Sequence, residues 1–346
     1  MQKIIFSKLK IVLITLTILS VLSCSQDDDL SNISDTIFVR HKNADMPAYI
    51  YGNGSEKVFL ITLHGGPGGL GLSFRGSAFD KIENACAVVY FDQRGSGMAQ
   101  GSYSEDEINI DIMAEDVLAL VKVLKHKYGN DSRFFLLGHS WGGTLGTATI
   151  LKDQNEFLGW IQVDGTHNPK DVYVQYIENF ERVASEQIDL GNSIPFWESV
   201  NDLVSNIEPT FNRADITRLN DKAFDSEEIL AGDNIINQQD SSDDTFFEYN
   251  LLTAYWNIIN IQSIIDPDIQ GILSYTERLS EIEIPTLILW GEHDMVVPPS
   301  FAQESYDNLG SNVKDLVFFE RSGHAPFLSE TNLFAEELIL FINQNK

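Results

Sequence analysis

The stretch Arg133 to Ala148, RFFLLGHSWGGTLGTA, restricts the fold more than any other part of the chain. Phe134 to Leu137 is a short apolar run of the kind that forms a buried strand, and Thr144 onward reads as the start of a helix. Ser140 stands at the turn between them, flanked by His139 and Trp141. Gly138, Gly142 and Gly143 remove side chains that would clash in so tight a turn. Such a turn belongs at the carboxyl edge of a parallel sheet, where it lifts a serine hydroxyl clear of the strands.

The rest of the chain repeats the same design. TIFVRHK and MPAYIYGNG read as two strands joined by a turn, and EKVFLITLHGG and ENACAVVYFDQRGSG as strands that end in glycine-containing loops. FLGWIQVDG, PTLILWG and KDLVFFE are further strands. INIDIMAEDVLALVKVLKHKYG is helical, with Met113, Val117, Leu120, Val121 and Leu124 on one face and Gly129 beyond its end. TNLFAEELILFINQ is an amphipathic helix. Strands alternating with helices imply an α/β fold with a mostly parallel central sheet and helices on both faces.

One segment breaks that rhythm. Between Thr166 and Leu279 the strand signal vanishes, and aromatic-rich, acidic, helix-like stretches such as VYVQYIENFERVASEQI and TFFEYNLLTAYWNIINI take over, with QQDSSDD as an exposed loop. An insertion of this size between two strands of one sheet is expected to be a helical cap over the site. The expected organisation is a core of residues 35–165 and 280–346 with a cap of residues 166–279.

The N-terminus is expected to lie outside the fold. Lys3, Lys8 and Lys10 precede the apolar run IVLITLTILSVL, which is too short to span a bilayer comfortably and closes on Ser23-Cys24. VLSC resembles the lipobox of bacterial lipoproteins, with Val21 where Leu is usual. The resemblance implies a signal peptide over residues 1–23, lipidation of Cys24, and an exported protein anchored to a bacterial membrane. Asp27-Asp28-Asp29 resembles the export signal of surface lipoproteins, which points to the outer membrane and its outer face, with residues 24–34 as a tether. The formal charge is −28, and loss of three lysines and no acids with the first 23 residues makes it −31. Such a surface would be repelled by phosphates, so nucleic acid is not an expected partner. Cys86, the second of two cysteines, lies in the apolar NACAVVYF strand and is expected to be an inert core thiol with no disulfide.

Ligands of an open α/β sheet bind at the carboxyl ends of the strands. The reactive residue types fall there: HGGPG (His64 to Gly68) after FLIT, DQRGSG (Asp92 to Gly97) after VVYF, Ser140 after FFLL, GEHD ending at Asp294 after TLILW, and SGHAPF with His324 after LVFFE. Serine is a weak nucleophile that needs a base within hydrogen-bond reach. His324 can take its proton, and Asp294 can fix the imidazole tautomer and stabilise the imidazolium. The Trp141 amide, next to the serine, is a first oxyanion donor, and the glycines of HGGPG let a second amide approach. The order serine, aspartate, histidine is that of an α/β-hydrolase triad.

HGGPG, DQRGSG, GHSWGG, GEHD and SGHAPF, in this order from about Ile37 to the C-terminus, resemble the prolyl aminopeptidase (proline iminopeptidase) branch of the α/β-hydrolases. The resemblance implies Ser140, Asp294 and His324 as the triad and Gly66 as the partner of Trp141 in the oxyanion hole. It implies a serine hydrolase that needs no cofactor and releases an N-terminal residue from short peptides. His64 and Arg94 are expected to be structural, shaping the oxyanion loop and its neighbour by hydrogen bonds, and His139 to pack beside the turn. No metal site is expected, because the histidines are scattered and no H-E-x-x-H or cysteine pair exists. An aminopeptidase must hold a free ammonium group with carboxylates, and the family draws these from the cap and, in one branch, from a Glu after the triad Asp. Here Met295 follows Asp294, which leaves Glu248 as the first candidate among the cap acids. The alternative is a carboxylester or amide hydrolase on a small acyl substrate. Dehalogenase and epoxide hydrolase chemistry would place Asp at the position of Ser140. A non-enzymatic surface-displayed binding protein would be expected to have lost the triad or the oxyanion loop, and this sequence keeps both.

Overall fold

Lys42 and Asn43 take left-handed backbone angles (φ 40° and 60°), which lets strands β1 (Ile33–His41) and β2 (Ala44–Gly52) fold back as a tight antiparallel hairpin. The computed structural model describes residues 29–207, 213–240 and 249–346. Strand β1 begins two residues inside the stretch read as a tether, because Ile33 is buried by the fold. The signal stretch, Cys24 and Glu248 lie outside the described residues.

Then follow β3 (Val58–Leu63), α1 (Ser77–Ala85), β4 (Ala87–Phe91), the two-residue β5 (Gln100–Gly101) and α2 (Ile110–Tyr128). Next come β6 (Arg133–His139), α3 (Trp141–Asp153) and β7 (Gly159–Val163). Among the described residues four long helices are inserted here: α4 (Val172–Leu190), α5 (Ile194–Ser205), α6 (Arg213–Gly232) and α7 (Leu251–Ile272). The chain then returns through β8 (Thr286–Gly291), α8 (Ser300–Asn308), β9 (Lys314–Phe319), α9 (Pro326–Ser329) and α10 (Thr331–Asn345).

The strands form one sheet in the order β1-β2-β4-β3-β6-β7-β8-β9, with β5 beside β2. From β4 to β9 the pairing is parallel, and only the β1-β2-β4 edge and β5 are antiparallel. Every residue of β3, β4, β7 and β8 is buried, as helices on both faces require. Asn109 caps α2 by accepting from the Ile112 amide, and the predicted face of that helix, Met113 to Leu124, is buried against the sheet. The fold is the doubly covered, mostly parallel α/β sheet expected from the sequence. Among the described residues no helix is long and apolar enough to cross a membrane.

Candidate active site

The sheet order turns at β3: the chain steps to β4 on one side and then to β6 on the other. This switch opens a crevice at the carboxyl ends of β3 and β6, which pair in register with Leu63 opposite Gly138. HGGPG and the Ser140 turn leave the sheet there.

Ser140 sits at φ 56° and ψ −120°, a strained conformation for an L-residue. Its N–H donates to Val163 O at 3.1 Å, and its C=O accepts from the Gly143 amide at 2.9 Å. A Cβ at Gly142 would fall 2.1 Å from Leu63 O, so only glycine lets α3 start this close to β3. A Cβ on Gly65 would lie 3.1 Å from Ser140 Cβ and 3.5 Å from its Oγ, which places the first glycine of HGGPG against the hydroxyl. Gly66 follows at φ 123°. Trp141 is the first residue of α3, where an amide has no partner within the helix.

Gln93 ties these pieces together. Its side chain donates to His64 O at 3.0 Å and accepts from the Trp141 indole at 3.1 Å. His64 Nδ1 meets Gly65 O at 2.8 Å, and burial lowers the imidazole to about 4, so the ring is neutral and structural. Arg94 lies buried at the base of the same loop. It makes a two-pronged pair with Asp116 (2.7 and 2.8 Å) and donates to His41 O and Lys42 O. Above the HGGPG loop α7 packs so closely that a Cβ on Gly68 would fall 2.8 Å from Ile258 Cγ1 and from Ile261 Cγ2.

Asp294 and His324 meet on the other side of the crevice. His324 Nδ1 lies 2.9 Å from Asp294 Oδ2, while Asp294 Oδ1 accepts from the Val296 and Val297 amides at 2.7 and 2.8 Å. The His324 ring lies against that of His139, with centroids 4.7 Å apart, which brings it beside the Ser140 turn. Among the described residues the Ser140 hydroxyl makes no hydrogen bond. Catalytic serine–histidine contacts commonly tighten only with substrate bound. Burial lowers His324 to about 4, partly opposed by Glu227, and lowers His139 to about 3. Both rings are therefore neutral near pH 7. His139 Nε2 donates to His324 O at 2.7 Å.

Two further acids, unremarked in the sequence, complete this side. Asp164 follows β7 in a left-handed conformation (φ 43°) and is fully buried. Its Oδ1 accepts from the Gly291 amide at 2.8 Å, and its carboxyl group interacts with that of Asp294. Burial pushes both carboxyls up, and two adjacent carboxylates cannot both be charged cheaply. Asp294 has two amides and an imidazole donating to it and Asp164 a single amide, so the shared proton belongs on Asp164. Glu227, from α6, accepts from the Met295 and His324 amides at 3.0 and 2.9 Å. Asp164 was within reach of the strand-end rule, since it closes the strand FLGWIQVDG. Asn179 of α4 adds a bond to Asp294 O at 3.2 Å.

Ser140 is half-buried and His324 only 7% exposed, so the crevice is nearly covered. Glu292 lines a separate cleft of about 560 Å³ with Glu178, Asn179 and Arg182, beside the Asp294 loop rather than against Ser140. Among the described residues no cluster of three or more histidines, cysteines and acids could hold a metal ion. Cys86 is buried and free, its thiol pushed up to about 12 by burial.

The chain is similar to known proteins. A proline iminopeptidase of Saccharolobus solfataricus is 29% identical over 297 residues, covering 82% of this chain and 84% of the relative. One from Lactobacillus crispatus is 26% identical over 312 residues, covering 86% and 94%. The crystal structure of a proline iminopeptidase from Mycobacterium smegmatis superposes with a TM-score of 0.61 at 16% identity, over 90% of this chain and 98% of that one. Residues 58–331 match the family described as the alpha/beta hydrolase fold. The chain belongs to the α/β-hydrolase family.

Proposed function

We propose that this α/β-hydrolase is a serine hydrolase whose triad is Ser140, His324 and Asp294, with the Trp141 and Gly66 amides as oxyanion donors. The observation that carries this reading is the 2.9 Å bond between His324 Nδ1 and Asp294 Oδ2, formed beside a serine in the strained turn conformation. Ser140 Oγ attacks the substrate carbonyl while His324 Nε2 takes its proton, and the His324 Nδ1–H stays bonded to Asp294. The carbonyl oxygen becomes an oxyanion between the two amides. His324 then protonates the leaving group, and water, activated by the same imidazole, releases the acyl group from Ser140. Helices α4 to α7 act as the cap that excludes bulk water.

The substrate class we favour is short peptides with a free N-terminus, cleaved as by a proline iminopeptidase, the name carried by the two relatives above. Unblocked aminoacyl-naphthylamides, the proline derivative first, should be cleaved and their N-acetylated forms should be much poorer substrates. Equal cleavage of both would remove the peptidase reading. One observation favours the second reading, a carboxylester or amide hydrolase. Glu227, the cap carboxylate buried against the triad, is already bonded to two backbone amides rather than free for an ammonium group. On that reading simple esters are fast and free-amine amides inert. Glu248 remains the proposed ammonium partner of the peptidase reading, and Glu248→Gln should weaken free-amine substrates selectively.

We also propose that Cys24 carries a lipid anchor after removal of residues 1–23, on the sequence succession alone. Palmitate labelling in a bacterial host should disappear in Cys24→Ala. Label retained on that variant would refute the anchor.

A further inference from the structure

Glu227 occupies a place where the pattern of α6 calls for an apolar residue. Ile216, Leu219, Ala223 and Leu230 follow helical spacing and are all buried. Glu227 lies four residues after Ala223 and three before Leu230, on the same face, and is 6% exposed. A carboxylate there is costly unless its oxygens are bonded. Among the described residues it forms no ion pair, and its partners are two main-chain amides.

Those amides belong to the two loops that carry the acid and the base. Oε1 accepts from Met295 N–H at 3.0 Å and from His324 N–H at 2.9 Å, and Oε2 lies 3.1 Å from the latter. A single carboxyl oxygen thus spans the residue after Asp294 and His324 itself. The loop is shaped to admit it: a Cβ on Gly323 would fall 2.3 Å from Oε2 and 2.4 Å from Cδ. The His324 carbonyl is held in turn by His139. Burial, and next to it Asp294, pushes Glu227 up to about 7, while His324 and the two amides pull it back.

We propose that Glu227 is a positioning residue, a cap carboxylate that holds the Asp294 and His324 loops in register so that the base is aligned only while α6 is seated on the core. This role rests on the Ser140–His324–Asp294 reading above. It differs from ammonium binding in that it acts on every substrate, charged or neutral.

The test uses the full-length protein, the neutral ester p-nitrophenyl acetate, and the rate of labelling by a fluorophosphonate. Glu227→Met fills nearly the same volume and continues the apolar stripe, but accepts no hydrogen bond. It should lose about 10²-fold in kcat with little change in KM, the size expected when a reacting group is misplaced by about 1 Å. Circular dichroism and melting temperature should stay close to wild type. Glu227→Gln, whose carbonyl oxygen can serve both amides, should restore most of kcat. Glu227→Asp is one methylene shorter and cannot reach both amides, so it should lose kcat even though the charge is kept. This makes it the deciding variant should the Met protein fail to fold. Wild-type kcat in either the Met or the Asp variant would overturn the proposal. A defect confined to KM for free-amine substrates would overturn it in favour of an ammonium site. A wild-type protein that neither turns over the ester nor reacts with the fluorophosphonate would bring down the triad reading and this one with it. A reactive wild type with an unimpaired Met variant brings down this one alone.

Discussion

The two halves of the site are held in different ways. The Ser140 side of the proposed site is held by main chain of the core: Ser140 hangs between β6 and α3, its amide bonded to Val163, and the close approach of α3 to β3 is secured by Gly142. The Asp294 and His324 side, the proposed acid and base, is made of two loops, after β8 and β9, that depend on side chains from elsewhere. Asn179 of α4 and Glu227 of α6 reach in from the inserted helices, and Asp164 and His139 from neighbouring strand ends. A nucleophile fixed by main-chain sterics should tolerate changes in the cap. A base held from the cap should not.

Four changes should separate these halves, in falling order of effect. Ser140→Ala should reduce turnover of any substrate by about 10⁶, as in comparable triads, while leaving the melting temperature near wild type. Steady-state kinetics with active-site titration checks this, and a loss below about tenfold would put the nucleophile elsewhere. Asp294→Asn should cost about 10⁴ in kcat, because the amide cannot hold the imidazole in the tautomer that accepts the serine proton. A mild loss instead would mean that Asp164 can take over as the acid.

Gly142→Ala strikes the construction of the nucleophile half. A Cβ 2.1 Å from Leu63 O forces α3 away from the sheet and should cost about 1–3 kcal/mol, seen as a lower midpoint in urea unfolding. An unchanged midpoint would show that the turn has slack. The smallest effect is on pH dependence. A base works only as neutral imidazole, and burial lowers His324 from 6.5 to about 4. The lowered value extends the neutral form downward, so kcat/KM for a neutral ester should fall only as the pH drops below about 5. Glu227, pushed up to about 7 by burial, is itself protonated near that limb, so Glu227→Gln should leave the limb where it is. A limb at 6.5 or above would contradict the buried setting of the base.

The same division governs what could be read from the sequence. The fold was legible because strands buried on both faces are almost continuously apolar, and VFLITL, AVVYF and TLILWG are so but for Thr62 and Thr286. The motifs at their ends were legible because the carboxyl edge of a parallel sheet collects reactive residues. Asp164 obeyed the same rule and could have been found in VDG. Glu227 left a fainter trace, one of five acids in α6 and the one that interrupts its apolar stripe. Its partners are main-chain amides far along the chain, and no local pattern encodes them. His64 and Arg94 could be assigned to the HGGPG and DQRGSG loops, respectively, from their positions in them. The partnership of Arg94 with Asp116 joins that loop to α2, and only the folded chain reveals it.

Activation of Ser140 by His324 across the crevice is the step on which the proposed mechanism depends. Peptide mass spectrometry of the full-length protein after brief fluorophosphonate treatment tests it most directly. Wild type should carry a single adduct on Ser140, and the labelling rate should fall by orders of magnitude in His324→Gln. An adduct on another residue, or equal labelling of Ser140 without His324, would contradict it.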